Sequence, residues 1–273
     1  MKNVSANGAE IPAIGLGTWE LRGDECAKLV ETALRNGYTH IDTAQMYQNE
    51  REVGAGIRAS GVDRDNLFVT TKIWPENYST SDFARAVHER LELLNCGPVD
   101  LLLLHWPPRA VSMAEAVAAL NKAKRAGLAR HIGISNFTVA QVEEAVALSD
   151  EPLVCNQIEY HPLINQDKVR AACARHGLAV TAYCPIARNK VADEPVMRDI
   201  AQRHDASPAQ IALAWLAGHG DVISIPRSSR PERLVDNLKA LEISLSDDEM
   251  AEISTLNSRN LRLVDPESVR PQW

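Results

Sequence analysis

The sequence predicts an α/β fold, a (β/α)8 TIM barrel with an N-terminal β-hairpin and an additional C-terminal helix. Eight short segments rich in Val, Ile and Leu alternate with amphipathic helical patterns along the chain. Together they occupy about 250 residues, the usual size of such a barrel. Ionisable side chains also stand where several of the apolar segments stop. This combination favours one barrel domain over residues 1–273.

The hairpin is predicted at residues 4–11, where Asn7-Gly8 lies between short apolar ends. Both residues tolerate a positive φ, which a two-residue hairpin turn requires. The eight apolar segments that follow do not alternate strictly with polar residues, as is typical of strands buried on both faces. They lie at about residues 13–17, 38–42, 67–72, 99–105, 131–135, 154–158, 179–183 and 222–226.

Helical patterns fill the intervals between these segments. They run from Asp24 to Asn36, Asn49 to Ser60, Ser81 to Leu94, Ser112 to Ala126, Val139 to Leu148, Gln166 to His176, Pro195 to His204, Ser207 to Ala217 and Pro231 to Leu241, with an additional helix from Ser246 to Leu256. Ser81 and Ser112 are predicted N-caps, and glycines at 37, 61, 127 and 177 follow helix ends.

A doubly wound sheet is the rival fold for an alternating pattern. It would place Gly-x-Gly-x-x-Gly after the first strand, but Gly15-Leu-Gly-Thr-Trp-Glu lacks the third glycine. The strand count and this missing glycine favour the barrel.

Composition excludes several classes of function. The net charge is −7, which disfavours nucleic acids and anionic membranes as partners. The N-terminal residues carry no apolar signal segment, so we expect a cytoplasmic protein, and we expect a monomer because no exposed apolar helix stripe is evident. The five cysteines are scattered, which favours reduced thiols, and no histidine cluster has the spacing of a metal site.

Four residues carry the predicted chemistry. Asp42, Lys72 and His105 each end an apolar segment, and Tyr47 follows Asp42 closely. Because strand C-termini meet at one mouth of a barrel, these side chains are expected to converge. Tyr47 could protonate a carbonyl oxygen, Lys72 could favour the phenolate, and Asp42 could keep Lys72 charged. His105 could donate a hydrogen bond to the substrate oxygen. Each residue taken alone is more often structural, and it is their joint placement that favours catalysis.

Two further groups lie on the same predicted rim. Trp19, Trp74 and Trp106 fall at or just beyond strand ends, where they could form the walls of a substrate pocket or belong to the barrel core. After the eighth strand, Arg227, Ser228 and Arg233 precede and open a helix. Phosphate sites in barrels lie in this region, and arginines at a helix N-terminus favour an anion.

These motifs closely resemble the aldo-keto reductase superfamily, and the resemblance spans nearly the whole chain. Within it, the sequence is most similar to the bacterial 2,5-diketo-D-gluconate reductases, especially the B type. The matching blocks are Asp42-Thr-Ala-x-x-Tyr47-x-Asn49-Glu50-x-x-Val53-Gly54, Thr-Lys72-Ile-Trp, Leu-His105-Trp-Pro, Gly133-Ile-Ser-Asn136-Phe, Asn156-Gln157-Ile-Glu-Tyr160-His-Pro, Ile225-Pro-Arg-Ser228 and the ending from Arg262 to Trp273.

The resemblance implies a reductase that uses NADPH to reduce small carbonyl compounds such as 2,5-diketo-D-gluconate or methylglyoxal. It implies Tyr47 as general acid, with Asp42, Lys72 and His105 in support. The cofactor-binding residues that it implies are Gly17, Thr18, Asp42, Ser135, Asn136, Gln157, Tyr183, Cys184, Pro226, Arg227, Ser228, Arg233 and Asn237. Ser135, Asn136 and Gln157 would hold the nicotinamide carboxamide, Tyr183 would stack on its ring, Asn237 would contact the adenine, and Arg227, Ser228 and Arg233 would take the 2′-phosphate.

Two departures and two alternatives accompany this interpretation. Arg227 stands where the family more often has lysine, and Cys184 replaces a usual serine. A barrel lysine such as Lys72 could instead form a Schiff base in a lyase. A redox-sensing or structural member that binds the cofactor with little turnover is the non-enzymatic alternative.

Overall fold

The computed structural model of the protein describes residues 2–273. Eight parallel strands, β3 to β10, form one sheet in the order of the chain, and a separate two-stranded sheet precedes it. The strands are β1 Asn3–Ala6, β2 Ala9–Pro12, β3 Leu16–Gly17, β4 His40–Asp42, β5 Phe68–Ile73, β6 Val99–Leu104, β7 Ala129–Ser135, β8 Leu153–Glu159, β9 Ala179–Tyr183 and β10 Val222–Ser224.

Helices cover the outside of the sheet. They are α1 Gly23–Arg35, α2 Glu50–Ser60, α3 Thr80–Leu94, α4 Met113–Arg125, α5 Val139–Leu148, α6 Asp167–Arg175, α7 Pro195–Arg203, α8 Pro208–Gly218, α9 Pro231–Lys239 and α10 Asp247–Ser254. The apolar faces of these helices and of the sheet form the larger core. Within residues 2–273, no helix is both long enough and apolar enough to cross a membrane.

The sheet closes on itself between its first and last strands. Gly15 N donates to Ser224 O at 2.8 Å, and Ser224 N donates to Ala13 O at 2.9 Å. A parallel bridge pairs Ile14 with Ser224. One step further along, a Cβ on Gly17 would lie 2.7 Å from the carbonyl oxygen of Ile225, so only glycine fits there. The predicted barrel is confirmed.

The hairpin has the predicted turn and lies against the N-terminal side of the barrel. Asn7 and Gly8 have φ values of 43° and 85°, the positive values expected of this dipeptide. The Asn7 side-chain amide donates to Leu153 O at 2.7 Å, at the start of β8. Apolar residues of the hairpin, including Val4 and Ile11, join a second core cluster with residues of the strands.

Most predicted boundaries hold within two residues, and one predicted cap is wrong. The four glycines at 37, 61, 127 and 177 all have positive φ, as predicted for helix ends. Ser112 caps α4, because its side chain accepts a hydrogen bond from Glu115 N. Ser81, however, lies inside α3, where Ser79 is the N-cap and accepts from Asp82 N. Three serine or threonine residues in a row, 79–81, left the sequence ambiguous there.

Candidate active site

Lys72 is the buried centre of the site. It lies near the end of β5, and its ammonium reaches three acceptors: Asp42 Oδ1 at 2.5 Å, Thr43 O at 2.9 Å and Tyr47 Oη at 3.3 Å. An ammonium has three N–H donors, so these contacts use all of them. Lys72 is 0% exposed, which makes these partners necessary for a charged side chain at that depth.

Asp42 is held from both sides at the end of β4. Its Oδ1 accepts from Lys72, and its Oδ2 accepts from Gln157 Nε2 at 2.8 Å. Its backbone oxygen accepts from the backbone and the side chain of Thr18, both at 3.0 Å. The carboxylate therefore has a single orientation, directed at Lys72.

Tyr47 lies on a short 3-10 turn, Gln45–Tyr47, that follows β4. Asn49 fastens this turn to the loop after β3, because its side-chain amide donates to Thr18 O at 2.8 Å and to Leu21 O at 3.1 Å. Its Oδ1 accepts from Thr43 Oγ1 at 2.7 Å. These contacts fix the phenol beside Lys72.

Burial dominates the pKa values of Tyr47 and Lys72. It raises the pKa of Tyr47 well above the ordinary value, and the negative charge of Asp42 adds to the rise. We expected the Lys72 ammonium to favour the phenolate. Burial also lowers the pKa of Lys72 itself, with Asp42 opposing that change. Tyr47 is therefore a protonated phenol in the free protein at neutral pH.

His105 follows β6 and faces the same concavity. Its ring lies edge-on to Tyr47 at a centroid distance of 5.7 Å and to Trp74 at 5.1 Å. Burial lowers its pKa well below the ordinary value, and Lys72 lowers it further. The imidazole is therefore neutral, and its buried Nδ1 has no hydrogen-bond partner among residues 2–273. The prediction that these four side chains converge is confirmed.

The three tryptophans occupy different places on the rim. Trp19 is 37% exposed and lies edge-on to Tyr47 at 5.0 Å, and Trp74 contacts His105. Trp106 is 4% exposed, and its backbone oxygen accepts from the Tyr78 hydroxyl at 3.0 Å. Its ring lies 6.4 Å from that of Trp273 near the chain's end. Trp19 and Trp74 thus flank the reacting groups, and Trp106 is part of the wall behind them.

The residues predicted around the nicotinamide form a linked polar group. Asn136 donates to His105 O at 3.0 Å and to Ser135 Oγ at 3.1 Å, and it accepts from the Tyr183 hydroxyl at 2.7 Å. Ser135 Oγ donates to Gln157 O at 2.8 Å. Asn136 has a φ of 65°, a left-handed conformation that asparagine tolerates. The group lies directly beside Asp42 and His105, because Gln157 donates to the Asp42 carboxylate and Asn136 donates to the His105 backbone oxygen.

The predicted phosphate residues surround the start of α9. Ser228 is 5% exposed, and its hydroxyl both accepts from Arg230 N and donates to Arg230 O at 3.0 Å. Arg227 and Arg233 are exposed, and Arg227 forms a long ion pair of 4.0 Å with Glu20 in the neighbouring loop after β3. The buried Asn237 bonds to the Tyr38 side chain. Ser228 therefore shapes the turn, while the arginines remain available to an anion.

The mouth between the polar group of Asn136 and the start of α9 is bordered by four predicted cofactor residues: Gly17, Thr18, Pro226 and Cys184. Gly17 N donates to Pro226 O at 3.2 Å, which joins the loops after β3 and β10. Cys184 follows β9 with a φ of 49°, and burial raises the pKa of its thiol to about 11. The thiol is therefore protonated at neutral pH. All five cysteines are free, as predicted.

Sequence reasoning assigned no role to several residues that support the site. Glu50 is buried beneath Lys72, where its carboxylate accepts from Thr71 Oγ1 at 2.5 Å and pairs with Arg90 at 3.1 Å. Burial raises its pKa to about 7. The sequence signal that could have identified Glu50 is its position in the family motif that begins at Asp42. No sequence signal could have identified the Thr43 carbonyl as a partner of Lys72, because every residue carries a backbone carbonyl.

No cluster that could hold a metal ion is found within residues 2–273.

The fold and this arrangement of side chains define a (β/α)8 oxidoreductase. The chain belongs to the aldo/keto reductase family, which it matches over residues 13–258.

Particular relatives are also similar over nearly their whole length. The chain is 44% identical over 266 residues to methylglyoxal reductase DkgB of Escherichia coli O157:H7, covering 96% of this chain and 99% of the relative. It is 37% identical over 252 residues to a glyoxal reductase of Bacillus subtilis (strain 168), covering 92% and 91%. A crystal structure provisionally named 2,5-diketo-D-gluconic acid reductase B has a TM-score of 0.98 and 44% identity, with 100% of this chain and 97% of the other covered.

Proposed function

We propose that the protein reduces small aldehydes and ketones to alcohols with NADPH, and that Tyr47 is the proton donor. The observation that carries this proposal is the chain of contacts from Asp42 through the Lys72 ammonium to Tyr47 Oη at 3.3 Å, with His105 beside it. The hydride for the carbonyl carbon comes from the reduced nicotinamide, which is the chemistry that the cofactor supplies when bound.

Tyr47 delivers the proton to the substrate oxygen. Burial keeps the phenol protonated in the free protein, so the proton is present when the carbonyl arrives. After transfer, the phenolate lies 3.3 Å from the Lys72 ammonium. The Coulomb attraction then offsets the loss of solvation. Lys72 therefore stabilises the Tyr47 phenolate, the negative charge that develops as the proton leaves.

His105 orients the carbonyl. A neutral imidazole has one N–H donor, which can bond to the substrate oxygen without competing as an acid. Its packing against Tyr47 and Trp74 fixes the ring, so the donor and the acid both face one position. Trp19 and Trp74 supply flat apolar surface for the rest of a small substrate.

The residues at the mouth fit a dinucleotide phosphate. Gly17 exposes its bare backbone where the loops after β3 and β10 meet, because a Cβ there would collide with the carbonyl oxygen of Ile225. Ser135, Asn136 and Gln157 would hold the carboxamide end, and Tyr183 would offer its ring. Arg227, Ser228 and Arg233 would bind the 2′-phosphate at the start of α9, and Asn237 would contact the adenine. A phosphate bound there would compete with Glu20 for Arg227, whose ion pair with Glu20 is long at 4.0 Å.

The substrate is a small carbonyl compound of the methylglyoxal or 2,5-diketo-D-gluconate type, by similarity to the relatives. We also propose that the protein acts in the cytoplasm as a monomer. A Schiff-base lyase is disfavoured because Lys72 is fully buried and all three of its N–H donors are used. The full set of proton-transfer groups argues against a purely structural member.

The test mixes the purified protein with NADPH or NADH and either methylglyoxal or 2,5-diketo-D-gluconate and follows loss of the reduced nicotinamide absorbance. We expect loss with NADPH that exceeds loss with NADH. Tyr47→Phe should reduce kcat by about 100-fold or more. It should leave NADPH binding, measured by fluorescence, within about 2-fold, because it removes one hydroxyl only. A Tyr47→Phe variant with full turnover would overturn the assignment of the acid.

A further inference from the structure

The C-terminal segment 261–273 crosses the mouth of the barrel and is anchored at the end of β8. The carboxylate of Glu159, the last residue of β8, accepts from Leu263 N at 2.7 Å and from Val264 N at 2.9 Å. Leu261 N donates to Leu163 O at 2.7 Å. Arg262 is held between these anchors, so the backbone fixes its position over the C-terminal ends of the strands.

The Arg262 side chain lies on the active-site side of this segment. Its guanidinium carbon lies 3.7 Å from the ring centroid of Trp273, and that ring lies edge-on to Trp106, the neighbour of His105. Burial, Glu159 and Cys184 raise the pKa of Tyr183, and the charge of Arg262 opposes that rise. Arg262 is therefore close to residues that border the site from β6 and from β9.

This guanidinium has no direct anionic partner among residues 2–273. Its Nη1 is buried without a hydrogen-bond partner, and it forms no ion pair, within residues 2–273. The two nearby carboxylates are already used. Glu159 accepts from two backbone amides and contacts His161 at 3.0 Å, while Asp265 accepts from Trp273 Nε1 at 2.8 Å and pairs with Arg270.

A buried guanidinium nitrogen without a hydrogen-bond partner costs free energy, which a ligand carboxylate could recover through charge-assisted hydrogen bonds. We propose that Arg262 binds the carboxylate of the substrate, so that the enzyme prefers carbonyl compounds that carry a carboxylate over neutral ones. This inference rests on the proposed carbonyl reduction and names the substrate class within it.

The test compares a carboxylate substrate, 2,5-diketo-D-gluconate, with a neutral one, methylglyoxal. Arg262→Gln should lower the ratio of kcat/KM for the acid to kcat/KM for methylglyoxal by about 10- to 100-fold, mainly through KM. Arg262→Lys should restore part of the ratio, because it keeps the charge and loses the planar fork. Arg259→Gln is the matched control, since Arg259 is exposed, lies three residues earlier and pairs with Glu194 at 3.1 Å.

A second measurement needs no variant and so does not depend on correct folding of one. D-gluconate and D-glucitol differ by a carboxylate against a hydroxymethyl group. We expect D-gluconate to inhibit methylglyoxal reduction competitively at a concentration at least about 10-fold lower than D-glucitol does.

The outcomes separate this inference from the proposed function. If the unaltered protein reduces neither substrate, the proposed function fails. If it reduces both, and Arg262→Gln lowers both equally, Arg262 is structural and the inference is overturned. A change confined to the KM of NADPH would assign Arg262 to the cofactor and also overturn it. Equal inhibition by D-gluconate and D-glucitol would also overturn the inference.

Discussion

Gln157 donates its side-chain amide to Oδ2 of Asp42 at 2.8 Å, while the other oxygen of that carboxylate accepts from Lys72. The two residues are far apart in sequence and lie on β8 and β4, across the barrel. Gln157 was predicted from the family resemblance to hold the nicotinamide carboxamide. Its Nε2 donates to the Asp42 carboxylate in the free protein, so Gln157 links Asp42 to the polar group of Ser135 and Asn136.

Replacing Gln157 with glutamate tests this link. Gln157→Glu removes a donor to a charged group and places a second carboxylate beside Asp42. We expect the free energy of unfolding at pH 7 to fall by about 1.5–3 kcal/mol. Because neighbouring carboxylates raise one pKa in the folded state, the loss should be absent below about pH 4 and should develop as pH rises through that pKa.

Urea unfolding between pH 4 and 8 measures the effect. Gln141→Glu is the control, because Gln141 occupies the N3 position of the capping box of α5, where glutamate is equally suitable. An unfolding free energy for Gln157→Glu that does not vary with pH relative to this control would contradict the expectation.

The buried pair of Asp42 and Lys72 should behave as one unit. Either Asp42→Asn or Lys72→Met leaves a partner charge without compensation, and each should cost about 3–5 kcal/mol of stability. The double variant should cost less than the sum of the two, by about 1–3 kcal/mol, because it removes both charges. Denaturant unfolding of all four proteins gives the cycle. Additive costs would mean that the pair contributes little in the folded protein.

His105 should remain neutral throughout the ordinary assay range. Its folded pKa is lowered by burial and by Lys72, so its imidazole signals in NMR should not titrate above about pH 6. The unfolded chain binds that proton more readily. Burial of His105 therefore costs stability as pH falls below about 6.5, and His105→Gln should reduce this acid-side slope. A His105 titration midpoint near 6.5 would contradict the expectation that burial keeps the His105 imidazole neutral.

Glu159 should control the order of the C-terminal segment. Glu159→Gln converts one acceptor oxygen into an N–H donor, which then faces the N–H of either Leu263 or Val264. Losing a hydrogen bond of this charged type should speed amide exchange over residues 261–265 by about 10- to 100-fold. Hydrogen exchange with mass spectrometry measures this. Glu194→Gln, which weakens the ion pair between the partly buried Glu194 and the exposed Arg259, should leave those residues protected.

Two helical glycines give a paired test of packing. A Cβ on Gly54 in α2 would lie 1.9 Å from the carbonyl oxygen of Leu94, which cannot move without shifting the end of α3. Gly54→Ala should therefore cost about 1–3 kcal/mol. A Cβ on Gly218 in α8 would meet only the flexible end of Met250, at 2.9 Å. Gly218→Ala should be neutral or stabilising, because alanine favours helix. Thermal unfolding of both variants checks the contrast.

The elements were predictable because local signals agreed with one another. Unbroken apolar segments indicated buried parallel strands, Asn7-Gly8 indicated a hairpin, and glycines indicated helix ends. Errors came where local signals were degenerate. Ser79, Thr80 and Ser81 could each begin α3, and only the hydrogen bond from Asp82 N to Ser79 separates them.

The sequence by itself determined the barrel and the meeting of Asp42, Tyr47, Lys72 and His105, because strand order and side-chain type follow from local pattern. Tertiary structure decided how these groups are solvated and which partners they have. Burial raised the pKa of Tyr47, Gln157 turned towards Asp42, and Arg262 came to lie at the mouth with its Nη1 unpartnered. Desolvation and long-range hydrogen bonds depend on residues distant in the chain, so no local pattern could specify them.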